Sequence, residues 1–120
     1  MEYMFLLCND EKRWSTMGEA EAGREYGAYA AYVHALREAD VYVGGHRLEP
    51  STTATTVRVT SEGKTSVLDG PYADTKEQLG GYFIVKVENL DAAISWAARC
   101  PAASHGTVEV RPIGAVPATA

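Results

Sequence analysis

Gly81-Tyr82-Phe83-Ile84-Val85-Lys86-Val87 is dense in aromatic and β-branched residues and reads as a central β-strand. Asn89 follows as a natural N-cap, and Asp91 sits in the next turn, where a carboxylate favours the helix dipole. Leu90, Ala93, Ile94, Ala97 and Ala98 then recur at i, i+3, i+4, i+7 and i+8, the spacing of a short amphipathic helix. Arg99 suits its C-terminus, and Pro101 lies where it stops. Beyond it, Thr107-Val108-Glu109-Val110-Arg111 alternates as a final strand.

Toward the N-terminus, Tyr3-Met4-Phe5-Leu6-Leu7-Cys8 is a continuous apolar run of strand length. Asn9 to Arg13 breaks it with turn formers and charge. From Glu19 to Ala39 no proline occurs, and Tyr26, Tyr29, Ala30, Val33 and Leu36 form a stripe roughly 120° wide on a helix. Asp40 ends that pattern. Val41-Tyr42-Val43 opens a second strand running to Glu49, with Gly44-Gly45 marking a bulge or a close backbone approach. Pro50-Ser51 stops it. Thr52 to Thr60 reads as a strand, Ser61-Glu62-Gly63-Lys64 as a turn and Thr65 to Asp69 as the returning strand of a hairpin. Gly70-Pro71 makes a corner.

The order β-α-β-(β-β)-β-α-β, with the hairpin set aside, is the α+β ferredoxin-like βαββαβ arrangement: an antiparallel sheet with two helices on one face. Phe5, Leu7, Phe83 and Val85 alternate with Met4, Leu6, Tyr82 and Ile84, and both sets are apolar. Strands apolar on both faces, with helices enough for one, predict a partner sheet. A homodimer with sheets face to face is the expected solution. One domain over 1–113 and a frayed tail over 114–120 complete the reading.

Composition narrows the function classes. The chain has 120 residues, 46% apolar and 22% charged, ordinary for one globular domain. No apolar stretch approaches the ~20 residues of a membrane helix, and the acidic start Met1-Glu2 lacks a signal-peptide n-region, so a cytoplasmic protein off the membrane is expected. A net charge of −5 argues against direct nucleic-acid binding. Cys8 and Cys100 read as free thiols. With His34, His46 and His105 they match no metal-ligand spacing, so neither a metal nor another cofactor is expected.

The run Asp69-Gly70-Pro71-Tyr72-Ala73-Asp74-Thr75-Lys76-Glu77-Gln78-Leu79-Gly80-Gly81-Tyr82 resembles the signature of the YCII-related family, in the subgroup named for an Asp-Gly-Pro-Phe motif, with Tyr72 in place of the phenylalanine. The likeness extends from Met4-Phe5-Leu6-Leu7 through Ala54 to Arg58 and on to Val108-Glu109-Val110-Arg111-Pro112. It implies a dimeric α+β barrel. The wider family includes proteins with a proposed His-Asp active pair and a dehydrochlorinase of chlorinated hydroxyquinols. The histidine of that pair falls near Gly27 to Tyr29, where this chain has none. The subgroup's association with extracytoplasmic-function sigma factors implies a second option, a non-catalytic docking module with a sigma factor as partner.

Among the residues that carry chemistry, His46 is the best general-base candidate, since imidazole alone titrates near neutrality unperturbed. With Asp69 it would form a catalytic His-Asp dyad. Lys76, Glu77 and Tyr82 are candidate substrate-binding residues on a loop set on a rigid scaffold. Arg111, like Arg58, suits an anionic ligand, or else an ion pair with a neighbouring glutamate. The expected site is a pocket at the helix–sheet junction for a small polar or aromatic molecule. In the alternative reading, Asp69-Gly70-Pro71 is a structural turn. His34 lies at the edge of the helix stripe, and His105, in a Ser-His-Gly turn, is expected to be solvated.

Overall fold

A computed structural model of the chain describes residues 1–115. The tail expected over 114–120 therefore lies, from residue 116 onward, outside the described residues. Strand β1 (Glu2–Asn9) buries every second side chain, and β2 (Tyr42–Arg47), β5 (Gln78–Lys86) and β6 (Thr107–Pro112) join it in one antiparallel sheet ordered β2-β5-β1-β6. Strands β3 (Thr55–Val59) and β4 (Thr65–Asp69) pair only with each other. This is the ferredoxin-like α+β arrangement, with the hairpin as a separate arm.

The helices are α1 (Glu11–Ser15), α2 (Glu19–Glu38), α3 (Leu90–Arg99) and α4 (Ala102–His105), and a single 3-10 turn spans Ser51–Thr53. The first and last were not expected. Asp10 caps α1 by accepting from the Lys12 amide, which converts a charged stretch read as a turn into one helical turn. One further boundary differs: the segment read as a strand from Thr52 starts with the 3-10 turn. The end of α2 is a Schellman motif: the Asp40 amide donates to the Arg37 carbonyl and the Val41 amide to the Leu36 carbonyl. Asp40 takes the left-handed position, φ 57°, that glycine usually fills.

Tyr3, Phe5, Leu7, Phe83, Val85 and Val87 from the sheet meet Tyr32 and Leu36 of α2 and Ala93 and Ala97 of α3. Tyr32 is the pivot. Its ring packs edge-on to Phe83 at 5.5 Å, and its hydroxyl donates to the Trp96 carbonyl at 2.7 Å. Burying that phenol without a partner would be costly; the hydrogen bond ties α2 to α3 instead. The stripes are rotated from the sequence reading. On α2 the buried pair is Tyr32 and Leu36, while Tyr26 and Ala30 are exposed. On α3 Ala93 and Ala97 are buried, and Leu90 and Ile94 face outward, 48% and 50% exposed. Small alanines let α3 lie close to the sheet, and the bulkier residues one position away cannot enter.

Gly45 explains how β2 joins the sheet. A side chain there would stand 2.6 Å from the Phe83 ring and 2.7 Å from the Tyr82 carbonyl, and the register shifts between Tyr42 and Gly44. Among the described residues, no helix covers the opposite face of the sheet. Rows of facing residues cross it: Arg111, Met4, Ile84 and Gly44; then Glu109, Leu6, Tyr82 and His46; then Thr107, Cys8 and Leu79. No described helix is long and apolar enough to cross a membrane.

Candidate functional site

The open face ends in a cleft of about 760 Å³ at the base of the arm. Its walls are Cys8 and Leu79 from the sheet, the segment from Leu48 to Thr56, and Pro71, Tyr72, Ala73, Thr75 and Glu77 from the loop before β5. This cleft lies on the helix-free side, whereas the sequence reading looks for a pocket at the helix–sheet junction. Its walls mix apolar side chains, among them Leu48, Pro71 and Leu79, with the hydroxyls of Ser51, Thr53 and Thr75 and the carboxylates of Glu49 and Glu77.

Local chemistry fixes each wall. Gly70 turns the chain at φ 102°, its amide donates to the Ala54 carbonyl at 2.7 Å, and its own carbonyl accepts from Thr56 Oγ1 at 2.7 Å. A β-carbon is strained at that φ, so Asp69-Gly70-Pro71 is a structural corner whatever else it does. The opposite rim is held by Glu11, whose carboxylate accepts from both the amide and the hydroxyl of Ser51 at 2.7 Å each. Gln78 links the two rims, accepting from the Glu11 amide at 3.1 Å and donating to the Thr75 carbonyl at 2.8 Å. Glu11 was passed over in the sequence because nothing local marks a carboxylate whose partner lies forty residues away.

Alongside Glu49, this frame is lined by a second carboxylate, Glu77. Thr107 Oγ1 donates to its Oε1 at 2.7 Å, which holds one carboxylate oxygen and leaves the other for a ligand. Burial pushes the Cys8 thiol upward, and the nearby charges of Glu109 and Glu77 add to the shift. The thiol is therefore protonated at neutral pH and serves as a wall rather than a nucleophile.

The remaining candidates are spread along the open side. His46 packs edge-on to Tyr82 at 5.8 Å, and both lie in the row through Leu6. Asp69 ends β4 opposite Thr55, on the arm, so the proposed dyad partners stand on different sheets. Lys76 is exposed in the loop. Arg111 is occupied by Glu109, Nε to Oε2 2.6 Å, and Arg58 instead covers the Tyr72 ring at 4.8 Å. His105 is not simply solvated: its Nε2 lies 3.0 Å from Glu25 Oε1, which Arg13 also holds at 3.0 Å. That cluster clamps α1, α2 and α4 together on the helical side.

The YCII-related domain model matches residues 1–116, nearly the entire chain. The chain belongs to the YCII-related family. An uncharacterised protein of Rhizobium meliloti (strain 1021) is 38% identical over 115 residues, covering 94% of this chain and 92% of that protein. In this YCII-related chain Glu25 stands on α2, and its histidine partner, His105, comes from α4.

Proposed function

We propose that this YCII-related protein, of the Asp-Gly-Pro-Phe subgroup with Tyr72 as its aromatic, binds or transforms a small polar or aromatic molecule in the cleft at the base of the arm. The observation that carries the reading is Glu77, a carboxylate held by Thr107 in the wall of a cleft that also presents Leu48, Leu79 and Tyr72. A flat ligand would lie against Leu48, Leu79 and Tyr72, and its proton donor or cationic group would meet the free oxygen of Glu77. Glu77 is also the acid–base candidate closest to such a ligand, with His46 and Tyr82 further along the same face. The working unit is a homodimer through the open sheet face, whose half-buried Met4, Leu6, Tyr82 and Ile84 call for a cover.

Native mass spectrometry of freshly purified, undialysed protein tests both parts. The expected result is a dimer carrying a reproducible added mass that Glu77→Ala loses while its far-UV spectrum stays unchanged. A dimer that never carries added mass, and that a panel of small aromatic acids and amines leaves thermally unshifted, sinks the ligand reading. The motif would then be a docking surface, and pull-downs against extracytoplasmic-function sigma factors would be the next step.

A further inference from the structure

Alternation along the β3–β4 arm puts Val57, Val59 and Val67 on one face, with Val57 directly opposite Val67. They are 59%, 65% and 60% exposed, so the arm presents a largely solvent-facing valine face, with Leu68 of its other face exposed as well. A two-stranded hairpin is marginal alone in water; it needs a further layer. Size points the same way. The Cα radius of gyration is 16.8 Å, against roughly 14 Å for a compact domain of this length. The chain exposes 8323 Å², about 2,000 Å² more than a folded monomer of its mass. An excess of that order is what one partner of a large, obligate dimer hides.

We propose that the arm of each chain reaches across to a second copy, where its valine face seats against the rim of that copy's cleft and closes it. Resting on the sheet-face dimer, the assignment makes the ligand site a shared one, incomplete in a single chain. The same molecule carries two uncovered apolar surfaces, the open sheet face and the arm. One two-fold arrangement covers both at once, because each surface is presented twice. The cleft mouth, bounded by Leu48 to Thr56 and by Tyr72, lies at the end of the open face and so beside the partner.

The test uses dimers assembled from light and nitrogen-15-labelled chains, with p-benzoylphenylalanine replacing Val67. Cross-linked peptides should join a light arm to heavy peptides containing residues 48–56 or 71–79, and the reverse. In the unlabelled protein the amides of 55–59 and 65–69 should exchange as slowly as those of β2. Val67→Asp should weaken dimerisation about tenfold or more, since a charge replaces a valine buried on association. A stable dimer with fast-exchanging arms and only intrachain cross-links overturns the arm assignment and leaves the sheet-face dimer standing. A monomer at micromolar concentration overturns both.

Discussion

Cys100 shows how one side chain records its surroundings. It closes α3 in the core, where burial pushes its thiol from an ordinary 9.0 to about 11, slightly offset by a backbone hydrogen bond from Ala102. Tyr29, on the neighbouring helix, is raised from 10.0 to about 12, chiefly by burial and further by the charges around it. Both groups are neutral when protonated, and the native state holds those protons more tightly than the unfolded chain. Between pH 9 and about 11 the unfolded state binds fewer protons than the native one, so stability falls as pH rises. Below pH 9 this contribution is fully present. Urea unfolding at pH 8, 9.5 and 11 should show a progressive loss, and Cys100→Ala should flatten the slope between the first two while lowering the baseline through a small cavity. A stability that stays level up to pH 11 would contradict the assigned burial of these groups.

Elements form where propensity and tertiary demand agree, and glycine shows both sides of that rule. Gly45→Ala should cost about 1–3 kcal/mol, because the new methyl meets the Phe83 ring and the Tyr82 carbonyl across a strand pair that cannot separate. Gly23→Ala, in α2 with open space around it, should instead stabilise by about 0.5–1 kcal/mol. Guanidinium titrations of the two variants should move in opposite directions, and a shared sign would refute the packing argument. The Gly44-Gly45 pair was visible as a close approach from the sequence, as were all six strands and both long helices, because alternation and periodicity survive in the letters. Helix azimuth was not. Leu90 and Ile94 score as core by hydrophobicity, yet the sheet admits only the alanines beside them at close range. The candidate cleft was half legible: the Asp69 to Tyr82 run supplies one of its walls, but nothing local revealed that Thr107 would hold Glu77 or that Arg111 would be taken by Glu109. Those pairings depend on which strands lie side by side, and a β2-β5-β1-β6 order is a property of the whole sheet.

At the scale of the molecule the question is whether one chain is a complete folding unit. The principal extents of 50 × 48 × 18 Å describe a thin plate, one sheet and one helical layer, with an arm beside it. A layer of helices covers only one face of a sheet, and the other face here carries Met4, Leu6, Ile84, Tyr82 and Leu79, with charge at the Glu109–Arg111 edge and in the end row of Glu2 and Lys86. If two such faces pack together, association adds to the stability of the fold, and apparent stability depends on protein concentration. A hundredfold dilution would then remove about 2.7 kcal/mol per mole of dimer. Thermal or urea midpoints recorded at 1 and 100 μM should therefore separate for the natural sequence. Leu6→Glu sets a carboxylate in the middle row, between Tyr82 and Glu109, and the like charge of Glu109 adds to its burial cost in any face-to-face pairing. In that variant the midpoints should coincide and the protein should run as a monomer in light scattering, with β1 still paired on both edges. Coincident midpoints in the natural protein itself would mean that the open face is solvated, and that the cleft beside it is closed by nothing but water.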